Sequence, residues 1–201
     1  MLTVGLTGKT GAGKGEFCCA AMGFSNVSYI DTDLTAREVV AKGEKCLSEL
    51  CECFGKEILN SDGTLCRKRL AQIAFTDEEK HEELNRITHK YIVSKIEEWL
   101  EKCKSQGKKV AIIDAPLLFE SGVDKLCDRI VCVTADEETR RERIMKRDGI
   151  DKEAADIRMG SQKEDSFYTE RADYVLKNNS DREKFFEECK NVIKKLLCEA
   201  E

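Results

Sequence analysis

A chain of 201 residues that is 41% hydrophobic and 36% charged can bury one sizeable core and is too apolar to stay disordered. Its formal net charge of -5 excludes the broad basic surface on which non-specific nucleic-acid binding depends. The start, Met1-Leu2-Thr3-Val4-Gly5-Leu6-Thr7, has no basic leader, and no stretch approaches a membrane span. A cytoplasmic protein without nucleic-acid or membrane partners is therefore expected.

In chain order, Leu2–Thr7, Val27–Asp31, Val110–Asp114 and Arg129–Thr134 are short, apolar or β-branched runs, with a weaker one at residues 174–176. They read as buried strands of a parallel sheet. Residues 15–22, 136–147 and 181–199 place apolar side chains at helical spacing between and after them. Strand alternating with helix predicts an α/β, doubly wound sheet. Between Asp33 and Cys103 the rhythm breaks into about seventy residues of helical pattern. Residues 76–103 read as a helix capped by Thr76, with Leu84, Ile87, Tyr91, Ile92, Ile96 and Leu100 on one stripe. Residues 60–64, Asn60-Ser61-Asp62-Gly63-Thr64, read as a turn. The division expected is a nucleotide-binding core over 1–33 and 108–201, a lid at about 138–168, and a helical substrate domain over 34–107. The 11 cysteines include no C-x-x-C pair and read as free thiols acting as small buried apolar residues.

After the first strand comes Gly8-Lys9-Thr10-Gly11-Ala12-Gly13-Lys14 and then a helix, which fits G-x-x-x-x-G-K in its strand–loop–helix setting. Glycines let such a loop curl its N–H groups inward onto phosphate oxygens, while the helix end and the Lys14 ammonium add positive charge. The next position calls for Ser or Thr to coordinate Mg²⁺, and here it is Gly15, followed by Glu16. A water in that place on the metal is the expected substitute.

Three acids fall at strand ends, where open α/β sheets carry their chemistry: Asp31, Asp33 and Asp114. Asp33 or Asp114 could hold Mg²⁺ directly or through water, or accept the proton of an attacking hydroxyl. Asp33 could equally cap a helix over residues 34–41. Arg140, Arg143 and Arg147 share one side of a helix and Arg158 follows, either facing phosphates or solvated and paired with nearby acids.

Together these pieces resemble the dephospho-coenzyme A kinase family. The similarity runs in order through residues 6–14, 29–40, 62–67, 87–89, 115–121, 143–149, 158–162 and 172–176. Its most specific parts are Asp31-Thr32-Asp33-Leu34-Thr35-Ala36-Arg37 and Pro116-Leu117-Leu118-Phe119-Glu120. The resemblance implies a P-loop kinase that uses ATP and Mg²⁺ to phosphorylate the ribose 3′-hydroxyl of dephospho-coenzyme A, working as a monomer or weak homo-oligomer. Carried over, Asp33 is the catalytic base, Lys14 the loop lysine, and Arg140 and Arg147 lid cations beside the phosphates. Residues Gly8, Lys9, Thr10, Gly11, Ala12, Gly13, Lys14, Gly15 and Glu16 contact the nucleotide, while Asp33, Arg67, His89 and Leu117 contact the acceptor. The chain departs from the family pattern at Gly15 (serine), Lys90 (proline) and Lys177 (aspartate), so a shifted helix start near Lys90 and a changed adenine-side loop are expected.

Overall fold

The computed structural model describes residues 1–179 and 181–200. Its elements are β1 (Leu2–Thr7), α1 (Lys14–Ala21), β2 (Val27–Asp31), α2 (Thr32–Glu38), α3 (Lys45–Phe54), α4 (Arg67–Ala74), α5 (Glu78–Ser105), β3 (Val110–Asp114), β4 (Arg129–Thr134), α6 (Glu137–Asp148), α7 (Lys152–Gly160), α8 (Asp165–Thr169), β5 (Tyr174–Lys177) and α9 (Arg182–Glu199). The strands form one sheet in the order β2-β3-β1-β4-β5. β1 runs parallel to both β3 and β4, with Leu6 opposite Asp114 on one side and Thr7 opposite Cys132 on the other. β5 continues the parallel sheet beside β4. Because β1 lies between β3 and β4, crossovers leave it toward both sides and open a crevice at the carboxyl ends of the strands.

The apolar runs expected as strands are strands because both faces are covered. Val4, Leu6, Ile112, Val131 and Val133 pack with Phe17, Ala20 and Ala21 of α1 and with Phe185, Cys189, Ile193 and Leu196 of α9. Fully burying a side chain of this size contributes roughly 1.5–3 kcal/mol before entropy is counted. That core anchors both ends of the loop between β1 and α1.

The chain divides into two compact units, Met1–Ile30 with Leu100–Glu201, and Asp31–Trp99. The second unit is helical, with its own core of Val39, Val40, Cys46, Leu50, Phe54, Ile58, Leu70, Ala74 and Ile87. Within it Lys90 and the Tyr91 hydroxyl, both on α5, meet the Glu49 carboxylate of α3 at 2.9 and 2.6 Å. Leu59 and Leu65 bridge across the turn expected at residues 60–64, where Asp62 accepts the Thr64 N–H. No helix among the described residues is long and apolar enough to cross a membrane.

Several local expectations need correction. Asp33 does not cap α2. Asp31 keeps the extended backbone of β2 and its carboxylate accepts the N–H groups of Asp33 and Leu34 at 2.8 and 3.2 Å, so the last strand residue doubles as the cap. Thr76 does not cap α5 either. Its hydroxyl donates to the Ile73 carbonyl, while the Asp77 carboxylate accepts the Lys80 N–H. α5 also runs through Lys90 unbroken, because lysine, unlike proline, leaves the helical N–H in place. The thiols are all free, but Cys19, Cys53 and Cys198 are exposed rather than buried, since they sit on outward faces of α1, α3 and α9.

Candidate active site

The loop from Gly8 to Lys14 takes its shape from a few forced positions. Gly11 and Gly13 have φ of 78° and 103°, a region costly for residues with a Cβ. A Cβ on Gly11 would lie 2.7 Å from the Arg140 carbonyl oxygen, and one on Gly13 would overlap the Asn178 amide. Only glycine permits α6 and the end of β5 to approach this closely.

Donors behind the loop hold its carbonyls. The Asn178 amide donates to the Ala12 carbonyl at 2.8 Å. The Arg143 guanidinium donates to the Gly11 and Ala12 carbonyls at 3.4 and 3.3 Å and to the Asn178 carbonyl and side-chain oxygen at 3.2 Å each. With those carbonyls held to the protein side, the Thr10 N–H goes to the Gln162 oxygen and the Ala12 N–H to the Lys9 carbonyl, which leaves the other loop amides for a ligand. α1 begins at Lys14, so the Lys14 and Gly15 N–H groups have no carbonyl within the helix, while the Glu16 N–H turns back to the Gly13 carbonyl at 3.0 Å, and the helix end adds positive charge. That is a cradle for an anion.

Side-chain cations complete it. The Lys14 ammonium lies 4.0 Å from the Asp114 carboxylate at the end of β3, both side chains mostly buried. Asp114 also accepts the Cys18 thiol at 3.6 Å, and burial, then the Asp114 charge, push that thiol well above the usual range, so it stays protonated. Arg140, on α6 against Gly11, is only 4% exposed, and its Nε and Nη1 have no hydrogen-bond partner among the described residues. A buried guanidinium whose donors lack an acceptor costs several kcal/mol, so a group of this kind is built for an anion supplied from outside. The residues present therefore fit a polyphosphate.

They fit a protein-held metal less well. Gly15 contributes no ligand, and a Cβ there would meet nothing within 4 Å. No three His, Cys, Asp or Glu side chains gather into a metal-holding group among the described residues. Asp114 is the carboxylate beside the loop lysine, so a divalent cation on the phosphates would meet it directly or through water.

The other expected site residues fall as follows. Lys9 forms an ion pair with Asp165 at 3.2 Å, and the Thr10 N–H donates to the Gln162 side-chain oxygen at 2.9 Å. Glu16 pairs with Arg182 at 3.0 Å. Arg147 is exposed and holds Asp148 at 2.8 Å, and Arg158 pairs with the same carboxylate. Leu117, 57% exposed, follows β3 in the first unit. Asp33, Arg67 and His89 belong to the second unit, the first two exposed near the starts of α2 and α4. His89 is half-buried on α5, and burial lowers its pKa. Reading the sequence did not find the loop contacts of Arg143, Asn178, Gln162 and Asp165. The partners lie up to 166 positions from the loop, so no local spacing marks them.

Comparison with known proteins places the whole chain in a family. A family model described as dephospho-CoA kinase matches residues 2–184. A dephospho-CoA kinase of Listeria innocua is 40% identical over 182 residues, 90% of each chain. One from Corynebacterium glutamicum is 38% identical over 98% of each chain. Among solved structures, a dephospho-CoA kinase from Campylobacter jejuni superposes with a TM-score of 0.74 at 26% identity, covering 99% of this chain and 98% of that one. This sequence, on a sheet ordered β2-β3-β1-β4-β5, is matched by the family model over nearly its whole length, and the chain belongs to the dephospho-CoA kinase family.

Proposed function

We propose that the chain transfers the γ-phosphoryl group of ATP to the ribose 3′-hydroxyl of dephospho-coenzyme A, giving coenzyme A and ADP. The observation that carries this reading is the buried Arg140 guanidinium, short of acceptors beside a preformed phosphate loop. The loop N–H groups and Lys14 bind the nucleotide phosphates, and Arg140 neutralises charge that spreads over the transferring group. Arg147 is the second lid cation. Asp33 accepts the 3′-hydroxyl proton as that oxygen attacks in line, and Arg67, His89 and Leu117 contact the acceptor. Asp114, beside Lys14, would hold a Mg²⁺ ion carried by the nucleotide directly or through water, Gly15 would give it no ligand, and the ion would supply screening of the phosphate charge. Asp33 sits exposed in the first turn of α2, where its carboxylate is open to an incoming hydroxyl. Burial keeps His89 neutral near pH 7, so it serves as a hydrogen-bonding group rather than a charge.

Such an enzyme works in the cytoplasm as a monomer or weak homo-oligomer, with a small molecule as its partner. The test is a panel of acceptors with γ-labelled ATP: dephospho-coenzyme A, nucleosides, nucleotides and sugars. Label appearing at the 3′ position of dephospho-coenzyme A alone is the expected result. Preferential labelling of a nucleoside or sugar would give the chain a different acceptor.

A further inference from the structure

The phosphate loop is held from two directions, and only one of them is explained by its carbonyls. Arg143 and Asn178 hold the carbonyls of Gly11 and Ala12. At the other end of the loop a separate segment reaches in from between α7 and α8. There the Gln162 oxygen accepts the Thr10 N–H at 2.9 Å in a part-buried setting, and Asp165 pairs with the Lys9 ammonium at 3.2 Å. Lys9 is 11% exposed and Asp165 53%, so the carboxylate comes from the solvent side to meet a largely covered ammonium. Two contacts on consecutive loop residues, from two residues three apart, make a clasp.

The clasp divides the loop's donors. The Ala12 N–H closes a turn onto the Lys9 carbonyl at 3.1 Å, and the Thr10 N–H is taken by Gln162. Beyond Gly13 the Lys14 and Gly15 amides open α1 without a carbonyl from the helix, while the Glu16 N–H turns back to the Gly13 carbonyl at 3.0 Å. Without an acceptor at 162, the Thr10 peptide would be a part-buried donor with no protein partner and could rotate, carrying Gly11 with it. Glutamine also suits the place chemically. Its oxygen accepts as a carboxylate would, without setting a negative charge beside bound phosphates.

We propose that Gln162 is a positioning residue for the nucleotide: by accepting the Thr10 N–H it holds the phosphate loop in its binding shape. This rests on the loop being the triphosphate site, and its test does not depend on the acceptor. The Gln162→Met variant keeps the side chain's length and removes the acceptor. Three readouts on the whole chain are amide hydrogen exchange at Thr10 without nucleotide, ATP affinity by calorimetry without acceptor, and the melting temperature. The expected result is faster exchange at Thr10 and ATP binding weaker by roughly three- to tenfold, the worth of one hydrogen bond. The KM for ATP rises alongside while kcat holds. Gln162→Glu restores slow Thr10 exchange yet binds ATP more weakly than the natural chain, most of all at low salt. Unchanged Thr10 exchange, or unchanged ATP affinity with only a lower melting temperature, overturns the proposal. A natural chain that binds ATP but ignores dephospho-coenzyme A would sink the acceptor assignment and leave Gln162 where it is.

Discussion

The phosphate loop and the expected site residues of the helical unit are built on opposite plans. Around the loop the backbone does the work: glycines at φ of 78° and 103°, carbonyls held by Arg143 and Asn178, and a buried arginine short of acceptors. Asp33 and Arg67 in the helical unit are exposed side chains at helix starts, and His89 is a half-buried one within α5. The first plan is rigid before any ligand arrives, which favours preorganised charge stabilisation. The second presents two solvated groups, Asp33 and Arg67, and one half-buried one, His89. Substitutions in the loop should therefore damage every nucleotide-dependent step, and substitutions in the helical unit should spare nucleotide binding.

The largest effect is expected at Arg140. Replacing it with Met should lower kcat by roughly a thousandfold or more, the range known for arginines on transferring phosphoryl groups. Steady-state kinetics with dephospho-coenzyme A check this, and a loss of less than about tenfold removes Arg140 from transition-state stabilisation. Next comes Asp33→Asn, expected to lower turnover about 10²–10⁴-fold while ATP affinity stays near that of the natural chain. If ATP binding falls with turnover, the contrast between the two regions breaks. A smaller effect is expected from Gly15→Ser. The space beside Gly15 is open, so the hydroxyl enters without strain and the Mg²⁺ concentration for half-maximal rate should fall by several-fold. An unchanged Mg²⁺ titration shows that water already fills that role fully.

The smallest effect is on stability and concerns His89. Burial lowers its folded pKa below the ordinary value of 6.5. The unfolded chain therefore protonates first as pH falls. Its contribution to stability is whole above about 6.5 and is lost as pH drops through the lower folded value. Urea unfolding at pH 7.5 and 5.5 should show a decline on acidification that is reduced in His89→Gln. Equal declines in both proteins would place the titration elsewhere.

What the sequence disclosed follows the same contrast. The strands β1 to β4 were legible because buried parallel strands are short unbroken apolar runs, and the loop because Gly8, Gly13 and Lys14 sit at the spacings of G-x-x-x-x-G-K. The helix caps were misplaced by one or two residues. Asp31 and Asp33, like Thr76 and Asp77, are chemically competent caps, and only the backbone angle of the preceding segment selects between them. Arg143 was visible as one of three arginines on a helix face, yet its task of tying loop carbonyls, rather than phosphates, depends on how α6 packs against Gly11. Gln162 fell inside the family-like segment 158–162 but nothing tied it to the loop, and Asp165 carried no signal, because a clasp joining residues about 150 positions apart leaves no local spacing behind.

A crystal structure with a non-hydrolysable ATP analogue and dephospho-coenzyme A tests the central claim most directly. The account predicts Arg140 Nε and Nη1 within hydrogen-bond distance of phosphate oxygens and the Asp33 carboxylate on the ribose 3′-hydroxyl. An Arg140 still without an anionic partner, or an Asp33 turned away from the ribose, would contradict it.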